Sequence, residues 1–384
     1  MTATNEGSRI DAAGLAYVRE QIGVTRQFRP WNSMATADAI WHFALGVGDD
    51  NPLWNDPDYA RSTAWGGVIA PPTFLSSCST GGAAPGATTS GEVDDLLPGV
   101  LGLWAGDRWT NYAPAREGMA LTATQELISA EVMRDNGRGV RVLQVERQSF
   151  YGDGRLLSEC DKSIIRFERE DSTGGDRLAT YAPPRYTGEE RAAIHAQYDA
   201  EYAQRRGARP LAAADIRAGD PIPRLVKGPL TVGGMVGWLL GWGSYMCQTN
   251  RLQHTYLKNH PGAQLFDEAY GIDDTIEAPH LNAELARKSG LPNSYDFGGQ
   301  RTAWLAHMLT DWCGDDGFVT GIDMRLRRPN FIGDTLWLDG TVTALRSSDE
   351  GDVVDCSIRA VNQRGEVVSD GTASVLLGAA GPLR

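Results

Sequence analysis

Gly48-Asp49-Asp50-Asn51-Pro52-Leu53-Trp54-Asn55-Asp56, followed by Tyr59-Ala60-Arg61, returns later in the chain in altered form. The later copy reads Asp274-Thr275-Ile276-Glu277-Ala278-Pro279-His280-Leu281-Asn282, followed by Leu285-Ala286-Arg287. Ala60 and Ala286 lie 226 positions apart, as do Arg61 and Arg287. The same shift sets Trp54 against His280. It also sets Pro72, within Gly66-Gly67-Val68-Ile69-Ala70-Pro71-Pro72-Thr73-Phe74, against Gly298 in Tyr295-Asp296-Phe297-Gly298-Gly299-Gln300. Further on, Pro114 and Gly118 match Pro329 and Gly333 at a shift of 215, and Gly154 and Ser158 match Gly365 and Ser369 at 211. Whole domains are therefore duplicated, and of the two aligned positions only His280 can accept a proton. One working site per chain is expected.

Each copy reads as helix, turn, long buried helix, then a run of strands. Residues 34–47 have helical apolar spacing, with Thr36 as N-cap and a stop at Gly48-Asp49. Residues 71–78 read as the start of a second, buried helix, because proline is tolerated in a first turn. Residues 81–98, rich in Gly, Ala, Ser, Pro and Asp, read as a mobile loop. Alternation then predicts strands over 118–127, 140–150 and 156–167, the last two joined by a Gly152-Asp153-Gly154 turn. Residues 171–187 form the expected boundary, and 189–206 a charged connecting helix outside both cores. The second copy comes next, with helices over 230–243 (Thr231 as cap) and 298–312, and strands over 334–345, 353–362 and 366–377. It also carries an insertion, residues 244–271, that the first copy lacks. The expected layout is an N-terminal domain over 14–170, a linker over 171–221 and a C-terminal domain over 222–378. Helix-plus-antiparallel-strand units of this kind are α+β, a sheet wrapped around one central helix. Two in tandem form an internal dimer whose sheets can join.

Composition narrows the function. The 384 residues suffice for two domains. A net charge of -13 argues against nucleic acid and against an anionic membrane. No apolar run approaches the roughly 20 residues of a spanning helix, and residues 1–7 lack a signal-peptide core. Five scattered cysteines (Cys78, Cys160, Cys247, Cys313, Cys356) read as reduced thiols in a cytoplasmic protein. There is no dinucleotide fingerprint, P-loop or nucleophile elbow, and no metal-ligand spacing, so no cofactor and no metal are expected.

These motifs resemble the MaoC-like acyl dehydratases and R-specific enoyl-CoA hydratases, with a first half like the dehydratase region of fungal fatty acid synthase. The stretches 48–61 and 66–74 carry the first part of the likeness. Arg205-Arg206-Gly207, Gly219-Asp220, Lys227-Gly228-Pro229-Leu230-Thr231, Tyr295-Asp296-Phe297-Gly298 and Gly314-Asp315-Asp316-Gly317 carry the second. The likeness runs over roughly residues 15–378. It implies a double hot-dog fold and reversible hydration of a 2-enoyl thioester, carried by coenzyme A or a carrier protein. One chain already supplies both units, so monomer and homodimer are both feasible, and a homodimer is expected.

That chemistry needs a base for the attacking water and donors for the thioester oxygen as it becomes enolate-like. The family pattern, Asp, four residues, His, supplies the first, and a glycine N–H at the start of the central helix supplies the second. In the first copy Trp54 has no proton-accepting nitrogen and Pro72 has no N–H. That copy is expected to be empty and to shape the acyl channel, with Asp49 in a turn or cap role. In the second copy His280 is the expected base and Gly298, with Gly299, the donor. The aspartate position holds Thr275, so Asp274 is the expected partner through a one-residue bulge, with Glu277 as the second carboxylate. Tyr295 is expected either to contact substrate or to be a turn residue packed on the helix. Arg301 is expected to contact substrate, and it, Arg325, Arg327 and Arg328 either hold phosphates or pair with the chain's own carboxylates. His307 is expected in the core or at an interface, and His254 and His260 at the surface or in a lid.

Two other readings stay open. The altered carboxylates suit a thioesterase, with Asp311 or Asp296 near the central helix, or a repurposed lyase or isomerase of secondary metabolism. A non-catalytic acyl-thioester binder is the third.

Overall fold

The structure, a computed structural model, describes residues 10–27, 30–79, 100–133, 140–168 and 181–379. The loop expected at 81–98 and most of the boundary at 171–187 lie outside these residues. In the first half come α1 (Ala12–Glu20), β1 (Thr25–Gln27), α2 (Ala37–Val47), α3 (Pro57–Ser62), β2 (Leu101–Asn111), β3 (Leu121–Met133), β4 (Arg141–Gly152) and β5 (Arg155–Phe167). The connecting helix α4 (Gly188–Gln204) is next, opened by a capping box of Thr187 and Glu190. The second half holds β6 (Pro221–Lys227), α5 (Val232–Trp242), α6 (Asn250–Asn259), β7 (Gln264–Asp267), β8 (Ile272–Thr275), α7 (Ala283–Lys288), α8 (Gly298–Cys313), β9 (Phe318–Leu326), β10 (Leu336–Ser348), β11 (Gly351–Asn362) and β12 (Val367–Leu376).

Ten strands form one antiparallel sheet in the order β1-β3-β4-β5-β2-β9-β12-β11-β10-β6. Read outward from the β2–β9 seam, the order is 2-5-4-3-1 on one side and 9-12-11-10-6 on the other. Each strand faces its duplicate across a pseudo-two-fold axis, so the internal repeat is expressed as an internal dimer. The seam registers Gly106 with Arg325 through Thr110 with Gly321.

The caps behave as their residue types require. Thr36 accepts a hydrogen bond from the Ala39 N–H, Thr231 from that of Gly234, and Gly48 closes α2 with φ 72°. Asp153 (φ 50°) and Gly154 (φ 80°) make the β4–β5 turn tight. Strand β4 alternates buried and half-buried residues along its whole length, as a sheet with one face on the core must. α2 crosses α5 so closely that a Cβ on Gly241 would stand 2.3 Å from the His42 carbonyl oxygen.

Several expectations change. The buried helix expected at 71–78 is a 3₁₀ segment, Phe74–Ser79. Strands β2 and β9, and the shorter β1, β6, β7 and β8, have no counterpart among the strands expected from the sequence. In β2, Gly102, Gly106 and the inward Asp107 break the alternation.

α8 is the central helix of the second half, and every residue from Gln300 to Cys313 is buried. A helix enclosed on all sides normally reads as apolar all round. This one carries Arg301, Thr302, His307, Thr310 and Asp311. Burying such groups costs several kcal/mol each unless they are paired. Their partners define the polar architecture of the molecule.

Candidate active site

His280 ends a 3₁₀ turn, Ala278–His280, just before α7. Asn282 caps α7 by accepting from the N–H groups of Glu284 and Leu285. The imidazole packs between two rings, Phe297 at 4.0 Å and Tyr295 at 4.3 Å between centroids. Its Nδ1 lies 2.8 Å from the Tyr295 carbonyl oxygen. A carbonyl can only accept, so Nδ1 carries the hydrogen and Nε2 is left with a free lone pair. Burial pushes the His280 pKa down to about 4; the backbone at Tyr295 and Asp296 opposes this, and the Arg301 guanidinium adds to it. At neutral pH the ring is a neutral, oriented acceptor.

Phe297 is also the N-cap residue of α8 and makes no side-chain cap bond. The first N–H groups of a helix have no partner within it, so Gly298 and Gly299 present theirs at the positive end of the helix dipole. The structure thus brings His280, Gly298 and Gly299 to one place: the imidazole stacks on the residue that precedes the two glycines. Tyr295 joins them through its ring, and its hydroxyl is held strongly protonated by burial, then by the charges of Glu277 and Asp296.

Asp274 and Arg301 are placed otherwise. Asp274 lies on the β7–β8 ribbon, where its Oδ1 accepts from Gln253 Nε2 (3.3 Å) and from the Thr275 N–H (2.7 Å). No hydrogen bond or ion pair joins it to His280. Glu277, on the His280 turn, is the buried carboxylate (6 % exposed), and accepts from Ser244 Oγ at 3.4 Å. Arg301 is buried and forms a two-bond ion pair with Asp296 (both 2.6 Å), and its Nη1 also donates to the carbonyls of Arg328 and Val368. Asn330 Nδ2 donates to the same Asp296 at 2.9 Å. Arg301 therefore anchors the start of α8 instead of contacting substrate, and Asp296 is committed to it. Arg327 pairs with Asp370 and Arg328 with Glu366.

The first copy is filled. Trp54 Nε1 donates to Asp49 Oδ2 at 2.9 Å, and Asp49 Oδ1 accepts from the Asn51 N–H at 3.0 Å. The aspartate of the family pair holds a turn and an indole. Around it, lined by Pro71, Pro72, Asn111, Ser158 and Asp315, a cavity of ≈ 20 Å³ remains, about the room of one water. Asp315, from the end of α8, seals it by accepting from the Tyr59 hydroxyl (2.5 Å). Behind it His307 fulfils its core expectation: Nδ1 meets Lys227 Nζ at 2.7 Å, and Nε2 lies 3.6 Å from Asp49 and 3.4 Å from Asp311. Ligand atoms of Asp49, His307 and Asp311 lie within 4.8 Å of one another, with Lys227 Nζ on the other ring nitrogen of His307.

Sequence reasoning missed two residues of β2. Asp107, 4 % exposed, accepts from Thr302 Oγ1 at 2.8 Å beneath the first turns of α8, and burial raises its pKa to about 7. Trp104 lies along the start of the same helix. A Cβ on Gly298 would stand 2.8 Å from its Cγ, and one on Gly299 3.1 Å from its Cη2. Neither lies in a copied motif.

Residues 22–155 match the family described as FAS1-like, dehydratase domain region. A UPF0336 protein of Streptomyces avermitilis is 39% identical over 57 residues, 15% of this chain and 38% of that protein. The chain thus aligns with well under half the length of that curated relative. A solved MaoC-like dehydratase superposes with a TM-score of 0.65 at 19% identity, over 94% of this chain and 99% of the other. A conserved hypothetical protein from Mycobacterium tuberculosis, described as having a double hot-dog fold, gives 0.57 at 15%, over 95% and 99%. A putative MaoC domain protein dehydratase from Chloroflexus aurantiacus gives 0.54 at 13%, over 93% and 95%. The fold is a double hot-dog, and the match to the FAS1-like dehydratase region lies within its first half.

Proposed function

We propose that this MaoC-like double hot-dog chain adds water to, or removes it from, an acyl thioester of the 2-enoyl / 3-hydroxyacyl type. The carrying observation is the convergence at Phe297: its ring stacks on an imidazole with a free Nε2, and its backbone caps the helix whose first N–H groups come from Gly298 and Gly299. In the hydration direction His280 Nε2 takes a proton from water. The water oxygen bonds to C3 and the C2=C3 electron pair moves toward the thioester oxygen. The Gly298 and Gly299 N–H groups hold that oxygen, and the imidazolium returns its proton to C2. Dehydration is the reverse.

A positioned base contributes about 10²–10⁴-fold, and one oxyanion donor about 3–4 kcal/mol. A base with pKa near 4 is always unprotonated at pH 7 but weak, so the helix terminus carries the larger share. Glu277, not Asp274, is the carboxylate proposed to help orient the water, since it is buried on the His280 turn. Coenzyme A and carrier protein both fit as the thioester's source, and the homodimer expected from the sequence is checked by mass in solution.

The test monitors loss of the conjugated enoyl-thioester absorbance with a short 2-enoyl-CoA. His280→Ala is expected to lower turnover at least about 100-fold with the fold retained by circular dichroism. Near-normal turnover by that variant would overturn the assignment.

A further inference from the structure

Trp104 belongs to the first half, yet it lies against the reactive helix of the second. Strand β2 runs in register with β5 up to Trp104–Ile164 and resumes at Gly106–Ser163, so Ala105 is an extra residue, a β-bulge. Pairing across the seam to β9 starts only at Gly106. The bulge thus sits where β2 leaves the cross-half ladder, and bulges re-aim side chains. Here the re-aimed side chain is the indole, which spans Gly298 and Gly299 with Leu326 Cδ1 alongside. A Cβ at Gly298 would meet both Trp104 and Leu326, which explains two consecutive glycines at a helix start where any small residue would satisfy the backbone. The indole is fixed from two sides. Its Nε1 donates to the Gly106 carbonyl at 3.2 Å, and Lys162 Nζ stands 4.4 Å from the ring centroid.

We propose that Trp104 is a specificity-determining residue for the site of the second half: it is the wall that limits substitution on the acyl carbon next to the thioester. The proposal rests on the hydration reading above. A thioester oxygen at the Gly298 and Gly299 N–H groups puts C2 within two bonds of that contact, beside the indole. An unbranched 2-enoyl chain passes along the flat ring, whereas a methyl on C2 meets it. The degenerate half therefore contributes selectivity in place of catalysis. A single methyl group is typically discriminated by 10–200-fold in an apolar pocket.

The experiment measures kcat/KM for crotonyl-CoA and for its 2-methyl analogue with the unmutated protein, Trp104→Ala and Trp104→Phe. The unmutated protein is expected to prefer the unbranched substrate by about 100-fold. Trp104→Ala is expected to narrow that ratio at least tenfold by raising the rate on the 2-methyl substrate, and Trp104→Phe to keep most of it. A purely structural role would lower both rates and leave the ratio unchanged, which would overturn the proposal. Calorimetric binding of butanoyl-CoA and 2-methylbutanoyl-CoA to the same proteins separates this proposal from the hydration reading. Relaxed binding discrimination in Trp104→Ala without turnover by any variant keeps the wall and removes the hydratase. Turnover with an unaltered ratio does the opposite, and no binding of either thioester removes both. If Trp104→Ala fails to fold, Trp104→Leu stands in, with the same expected narrowing.

Discussion

The tautomer of one imidazole decides what the site can do. With Nδ1–H given to the Tyr295 carbonyl, only Nε2 can accept a proton, and only while the ring is neutral. Its pKa, pushed down to about 4 by burial, puts the working form in excess at every ordinary pH. Hydration measured on a stable short 2-enoyl thioester is expected to be flat from pH 7 to about 5 and to fall as pH drops through about 4. A fall centred near the ordinary histidine value of about 6.5 would contradict this environment. The stability sign agrees. The folded pKa lies below the unfolded one, so the unfolded chain takes up the proton first, and this group weakens the fold as pH falls from about 6.5 toward 4. The place of His280 beside the start of α8 was legible in the sequence because the repeat fixes its position against Trp54. Which carboxylate is buried on its turn was not, because a missing aspartate can be replaced from either side of a turn and spacing does not report burial.

A buried charge holds the start of the central helix in place. Arg301 and Asp296 are five residues apart across the Phe297 cap, and their double hydrogen bond, with Asn330 on the same carboxylate, fixes the path of the chain into α8. Removing one partner of such a buried pair leaves the other uncompensated, at a cost of about 3–5 kcal/mol. Arg301→Met is therefore expected to lower the melting temperature sharply, and Arg301→Met combined with Asp296→Asn to recover part of that loss. Thermal unfolding of the three proteins checks it. An unchanged melting temperature with a raised KM for acyl-CoA would instead restore the substrate contact expected of Arg301 from the sequence. Elements with strong local signals were legible. The threonine caps of α2 and α5, the alternation of β4 and the Gly152-Asp153-Gly154 turn agree at every level. Strand β2 was hidden because the bulge that aims Trp104 also interrupts its pattern. The 3₁₀ segment Phe74–Ser79 was read as a helix because proline signals a first turn without fixing the hydrogen-bond pattern of the residues after it.

At the scale of the molecule, the duplication has become a lock between halves. Lys227 on β6 donates to the Val47 and Gly48 carbonyls at the end of α2 and meets His307 of α8, while His307 faces Asp49 of the first half and Asp311 of its own helix. Desolvation lowers the Lys227 pKa, and the charges of Asp49, Glu201, Asp311 and Asp50 oppose it. One buried cation thus stands against carboxylates drawn from both copies and from α4. In Lys227→Met the carboxylates lose that cation, at a cost of about 3–5 kcal/mol. Burial raises the Glu201 pKa, so acid neutralises that carboxylate early and the penalty shrinks as pH falls. The deficit of Lys227→Met in melting temperature is therefore expected to be larger at pH 8 than at pH 5. Differential scanning calorimetry at the two values decides it. An equal deficit at both would mean that Lys227 acts through the packing of its carbon chain, and that the two hot-dog units are held by the sheet seam and the apolar core without this charge.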